Sequence, residues 1–484
     1  MPNNLLIIMS DEHSPKWLGC YGERLAETPN IDRLAAQGTL FTDAYTTCPV
    51  CVPARAGFAT GRYIHQVGFW DNADPFDGSV PSWQSQLRDN GHHVVSIGKL
   101  HFRSPRDDNG FSDEILPMHV VDEKGDLLGL VRDELPVRGA AWKMAKLAGP
   151  GESSYTHYDR LICARAQIWL HEEAPRHRDK PWVLFVSFAC PHFPLTAPPE
   201  FYYRYRRAAL PMPKLYSPGD RPRHPFLDDY SRSFNYDDYF DEEKVRSAVA
   251  GYLGLCSFVD ENVGKVLQAL EQSGAAPDTT VVYTSDHGDN LGARGLWGKS
   301  TMYRESVGVP LIVAGQGIPA GERCNTPTSH VDLYPFIFET VGCPEPNDDN
   351  LPKAPGISVQ RIASGEVPDR SVLSEYHGMG SRTAAFMIRN GRFKYIFYVG
   401  YPPQLFDLDR DPEELVDIAG LPGSGPILAE CEAKLRAICD PDEVNQRAKA
   451  RQSEILARHG GREAAITRGD LGFSPIPGEP ADFQ

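Results

Sequence analysis

The chain has 484 residues, 41% of them apolar, enough for one large α/β core and a smaller second unit. It carries 65 acidic against 49 basic residues, a formal net charge of −16, which argues against nucleic acid or an anionic membrane as a general partner. A small anionic substrate stays open, provided that local lysine, arginine or metal charge overcomes the global repulsion.

Met1-Pro2-Asn3-Asn4 runs directly into an apolar strand at residues 5–9. No basic segment precedes it, and the run is too short for a secretory signal. No stretch approaches the ~18 apolar residues of a membrane span. The ten cysteines are scattered rather than arrayed as a disulfide framework. These features predict a cytoplasmic location; a leader removed upstream is the alternative.

Short apolar runs at residues 5–9, 94–97, 183–188, 280–284 and 309–313 read as buried parallel strands. Helical patterns separate them at residues 31–37, 83–90, 158–173 and 242–271. In the last, Val245, Val249, Leu253, Cys256, Val259, Val263 and Leu270 share one face. Such alternation predicts an α/β fold, a large and mostly parallel sheet sandwiched by helices. Residues 197–240 are crowded with proline, arginine and aromatics. The plainer reading is an insertion packing on its own side chains; the sharper one is a lid or subunit contact that shapes a pocket.

After residue 364 the pattern changes. Residues 371–376, 383–389 and 392–398 read as antiparallel strands with a hairpin turn at Asn390-Gly391, followed by a short strand at 405–408 and a helix at 427–438. The predicted organisation is a large α/β domain at 1–364, a C-terminal α+β subdomain at 365–450 and an extended tail at 451–484. An extended arm would suit a homo-oligomer.

Two strand ends carry oxygen-rich pairs: Asp11 and Glu12 after the first, Asp286 and His287 after the fourth. Singly, an acid after a strand is usually a helix cap. Together they could hold a hard divalent cation. Residues 48–62 include Cys51-Val52-Pro53-Ala54-Arg55 and Thr60-Gly61-Arg62, with Cys51 at a predicted helix amino end, where N–H groups favour anionic oxygen. Cys48 and Cys51 also spell C-x-x-C, a redox pair or half of a zinc site. The chain has no second C-x-x-C or H-x-x-x-H to complete the zinc site.

The C-x-P-x-R pentapeptide resembles the signature of type I sulfatases, in the alkaline phosphatase superfamily. Gly98-Lys99-Leu100-His101, Pro191-His192-Phe193-Pro194, Trp297-Gly298-Lys299 and Leu405-Phe406-Asp407-Leu408-Asp409-Arg410-Asp411-Pro412 resemble further motifs of that family in the same order. Asp71-Asn72-Ala73 and Gly295-Leu296-Trp297 are most similar to choline sulfatases, and residues 48–55 also resemble phosphonate monoester hydrolases.

The resemblance implies that Cys51 is oxidised to formylglycine by a converting enzyme, and that its hydrate attacks a sulfate monoester to give a covalent sulfo-enzyme intermediate. It also implies one divalent metal on Asp11, Glu12, Asp286, His287 and the modified Cys51, calcium first and manganese or magnesium second. Glu12 departs from the family's usual residues, as do Val52, Ala54 and Ala59. Chemistry then distributes the roles. His192 and Lys299 serve the leaving group, Lys99 the non-bridging oxygens, His101 is the base and Arg55 holds the hydrate.

Two other hypotheses stand beside the sulfatase. One is a phosphonate monoester or phosphodiester hydrolase on the same scaffold. The other is a non-catalytic binding protein in which Cys51 stays a thiol or pairs with Cys48. The organic part of the substrate is not legible, although Trp70, Trp297 and the tyrosines of the insertion could cage a cation.

Overall fold

A computed structural model describes residues 2–346 and 351–483. Its centre is an eight-stranded sheet built from β1 (Asn4–Asp11), β2 (Gly38–Phe41), β3 (Val94–Lys99), β4 (Asp113–Met118), β5 (Val183–Pro191), β6 (Thr279–Ser285), β7 (Leu311–Ala314) and β8 (Glu322–Cys324). The spatial order is β8-β2-β7-β6-β1-β5-β3-β4. Seven strands share one direction. β7 runs against both its neighbours, β6 and β2. Residues 309–313 were expected to be parallel like the rest. The 286–310 connection from β6 holds only short helical turns, with no long helix to carry the chain back across the sheet.

The central strands β6, β5 and β3 are buried at every position, and β1 from Leu5 onward, because both faces are covered. Leu6 and Ile8 of β1 join one core cluster, while Leu5, Ile7 and Met9 join the other. On the first face lie α1 (Pro29–Ala36) and the two long helices at Ser154–Glu172 and Glu242–Gln272. On the second lie α2 (Cys51–Thr60), α3 (Trp83–Asp89) and a later helix, α9 (Leu333–Val341). Between α3 and α9 the chain forms α4 (Ala140–Leu147), α5 (Ser154–Glu172), α6 (Pro199–Arg206), α7 (Pro225–Phe234) and α8 (Glu242–Gln272). The aromatic segment at 197–240 therefore contains two helices. Phe201 of α6 packs edge-on against Phe258 of α8.

A separate antiparallel sheet follows, with β9 (Ser371–Tyr376), β10 (Ala385–Asn390), β11 (Phe393–Tyr398) and β12 (Tyr401–Asp407) in sequence order. It is followed by α10 (Gly425–Ile438), α11 (Pro441–Arg458) and α12 (Gly461–Arg468). The tail expected to be extended from 451 is thus helical as far as Arg468, with Gly460 at φ 94° turning one helix into the next. Gln452 and Ala465 are buried against the same chain, which removes the extended-arm argument for an oligomer. Among the described residues, no helix is long and apolar enough to cross a membrane.

Candidate active site

β6, β1, β5 and β3 are adjacent and parallel, and their carboxyl ends bring the polar motifs together. Asp11 closes β1, Lys99 closes β3, His192 follows β5, and Asp286 with His287 follows β6. This is where an open α/β sheet presents a ligand site. Opposite them lies the amino end of α2. Every residue of α2 is buried, and Cys51 is its first residue. The helix stops at Gly61, whose φ of 65° and contact with the Tyr334 ring leave no room for a side chain.

Cys51 Sγ lies 3.1 Å from His287 Nε2, 3.1 Å from Lys299 Nζ and 3.7 Å from Asp11 Oδ1. Arg55, one turn along α2, donates to Asp286 Oδ2 at 2.8 Å, Asp11 Oδ2 at 3.1 Å, the Lys99 carbonyl at 2.7 Å and Ser187 Oγ at 2.9 Å. Lys99 Nζ is 2.6 Å from Asp11 Oδ2. All these groups are buried. Against the cost of burial, Lys99, His192 and Arg55 hold the Asp11 carboxyl well below the usual range. Burial and the Asp11 charge push the Cys51 thiol up to about 12, so an unmodified Cys51 is protonated at neutral pH and a poor nucleophile.

Asp11, Cys51, Asp286 and His287 each offer one ligand atom within 4.8 Å of the others. His287 Nδ1 faces the Gly288 carbonyl at 3.0 Å, which fixes the proton there and leaves Nε2 as an acceptor toward the cluster. One oxygen each of Asp11 and Asp286 is committed to Arg55, and the other faces Cys51 or accepts backbone N–H groups. Two carboxylates and an imidazole so arranged fit a divalent cation that an oxygen at position 51 would complete.

Glu12 stands apart from this quartet. It forms a second trio with Asp11 and His192. Its Oε2 lies 3.2 Å from Lys299 Nζ and 3.3 Å from His192 Nε2, while Oε1 is buried without a partner. Burial pushes Glu12 up to about 8, against the pull of Lys299. His192 Nδ1 faces the Phe193 carbonyl at 2.6 Å, which leaves Nε2 to accept from a neutral Glu12. His101 lines the same cavity, with neither ring nitrogen partnered and φ at 55°. Burial, then Lys99 and Arg55, keep it neutral well below the usual histidine range.

The sequence motifs therefore converge, and several supporting residues were not singled out by them. Asn72 Oδ1 accepts from Val52 N at 3.2 Å, capping the start of α2 beside Cys51; its only sequence signal is the family-like Asp71-Asn72-Ala73. Tyr230 of α7 donates to the Lys299 carbonyl at 2.8 Å and Tyr236 to the Trp297 carbonyl at 3.0 Å. The aromatic insertion thus fixes the loop that carries Lys299 and lines the cavity. Trp297 stacks on Phe240 and Trp70 sits edge-on to His377; neither lines the cavity. All ten cysteines are free, Cys48 and Cys51 included.

The sulfatase family model matches residues 3–343, and that of the C-terminal part of N-sulphoglucosamine sulphohydrolase matches residues 292–440. The chain belongs to the sulfatase family. This sulfatase is 31% identical to the choline-sulfatase of Rhizobium meliloti (strain 1021) over 435 residues, 88% of this chain and 83% of that protein. It is 29% identical to arylsulfatase K of Bos taurus over 465 residues, 91% and 82% of the two chains. Its fold matches the phosphonate monoester hydrolase of Agrobacterium radiobacter with a TM-score of 0.74 at 24% identity, covering 90% of this chain and 95% of that one. The chain is a sulfuric ester hydrolase.

Proposed function

We propose that this sulfatase cleaves sulfate monoesters by double displacement at position 51, with formylglycine made from Cys51 and one divalent cation, calcium in the first instance. The observation that carries the reading is Cys51 at a helix amino end within 3.1 Å of both His287 Nε2 and Lys299 Nζ. Asp11, Asp286 and His287 would hold the cation, and manganese is the competitor because His287 offers nitrogen. When present, the hydrated aldehyde supplies the nucleophile and the cation polarises the sulfate oxygens.

The rest falls to the chain's own side chains. Arg55 orients position 51 and the two aspartates through one guanidinium. Lys99 stands beside Asp11 to balance charge on non-bridging oxygens. Lys299 and His192, joined through Glu12, face the leaving oxygen, and His101, neutral and unpartnered, takes the proton that releases the enzyme. Ten unpaired thiols suit a reducing compartment, so we place the enzyme in the cytoplasm.

Intact-mass analysis of the Cys51 peptide should show a species about 18 Da lighter than the thiol, one oxygen for one SH2. Elemental analysis should find one divalent metal per chain. Turnover of sulfate monoesters should exceed that of phosphonate monoesters. An unchanged thiol in active enzyme, or a preference for phosphonates, overturns the reading.

A further inference from the structure

The cavity in front of Cys51 has a volume of about 80 Å³, well below the ~300–1,000 Å³ of pockets that enclose drug-sized ligands. Its inner end is polar, with Cys51, Lys299, His101 and His192. The rest of its lining mixes six apolar side chains, Met144, Phe193, Phe234, Met379, Leu471 and Phe473, with the paired Asp126 and Arg138.

Two of those six belong to a strap that follows α12, in a region (441–484) outside both matched family models. The strap is pinned at both ends. Asp470 is 2% exposed and accepts from Arg138 Nη2 at 2.5 Å and from Ala140 N at 2.8 Å, at the start of α4. Tyr155 of α5 donates to the Ser474 carbonyl at 2.8 Å. Between these anchors Phe473 meets the Tyr155 ring edge-on at 5.5 Å and the Phe193 ring at 5.7 Å, while the Lys143 ammonium lies 4.8 Å from its ring centre. Phe193 in turn stacks on His192 at 4.7 Å. Gly472 has φ 71°, a conformation that presents its two neighbours to the cavity and that a side chain would strain.

We infer that residues 470–474 are the roof of the substrate pocket, and that Phe473 is a specificity-determining residue restricting this sulfatase to esters of compact alcohols. The inference rests on the sulfatase reading above and adds the class of leaving group to it. An ester with a long chain, or one set within a sulfated oligosaccharide, would have to occupy the space that Phe473 and Leu471 fill.

The test is kcat/KM of wild type, Phe473→Ala, Leu471→Ala and Phe473→Tyr on phenyl sulfate, n-butyl sulfate, n-dodecyl sulfate and a sulfated disaccharide, with a matched series of phosphonate monoesters. Wild type should favour the compact esters by about 100-fold or more, the scale on which a filled apolar pocket rejects added groups. Phe473→Ala should narrow that ratio by about tenfold or more, whatever its loss on phenyl sulfate, because the removed ring opens the roof. Leu471→Ala should narrow it in the same sense, while Phe473→Tyr, which keeps a ring, should retain it. Equal turnover of compact and bulky sulfates by wild type overturns the roof and leaves the sulfatase reading standing, as does an unchanged ratio in folded Phe473→Ala. Turnover of phosphonates alone sinks the sulfatase reading, and the size ratio within that series then decides the roof. Silence on both series sinks both.

Discussion

Arg55 bonds four groups, one on each of β1, β3 and β5 and one just after β6, a set that only a planar fork with several donors can satisfy at once. Arg55→Lys keeps the charge and loses the geometry, so kcat/KM should fall by about 10²–10³, as for removal of a preorganised donor. Calorimetry should also show a lower Tm, because the Asp11 and Asp286 carboxylates lose partners in a buried setting. His101 gives a pH test. Burial with Lys99 and Arg55 lowers its pKa. The neutral, basic form therefore persists as pH falls, and protonation is completed only well under 6.5. The kcat/KM profile should stay level as pH falls through the usual histidine range, and an acid limb centred near 6.5 would remove His101 from the role of base.

At the level of elements, the aromatic insertion acts through two tyrosine hydroxyls on the backbone of the Lys299 loop. Tyr230→Phe should cost about 1 kcal/mol of stability, the value of one hydrogen bond. It should also reduce kcat/KM by several-fold through a looser lysine, measured against Tyr239→Phe on the same segment, whose ring lies outside the cavity lining.

These elements also mark how far the sequence could be read. The strands bearing Asp11, Lys99, His192 and Asp286 were legible because a largely apolar run, ended by a polar motif, is what a doubly covered parallel strand requires. The quartet at Cys51 followed from those strand ends. The direction of β7 did not, since its composition is that of any buried strand and only the lack of a crossover helix reverses it. Helices α11 and α12 were hidden by polar sequence and by Gly460-Gly461, which reads as a break and serves as a turn between two helices. Asn72, Tyr230 and Phe473 escaped because their partners are 20, 69 and 280 or more residues away.

For the molecule as a whole, the antiparallel sheet is tied to the catalytic domain near Cys51. Glu375 of β9 donates its N–H to the Thr47 carbonyl at 2.9 Å, and its carboxylate lies 2.9 Å from both His65 Nδ1 and His377 Nε2. Although burial opposes it, His65 and His377 hold Glu375 well below the usual carboxylate range. A depressed folded pKa contributes stability above the unfolded value, and that contribution is lost as pH falls below about 4.5. Glu375→Gln should therefore cost about 1–3 kcal/mol at pH 7, the range for hydrogen bonds to a buried charged group, and progressively less below pH 4.5, read from denaturant midpoints. The net charge of −16 opposes an anionic ester at long range. Added inert salt should raise kcat/KM at low ionic strength, the reverse of what a steered encounter would give. Cys51 itself is 1% exposed, on a helix buried along its whole length. On the formylglycine reading, a converting enzyme that must grasp the peptide around Cys51 cannot do so once the sheet and its helices have closed over α2. The converted fraction is then settled during biosynthesis, and a molecule that folds with its thiol intact keeps it for life.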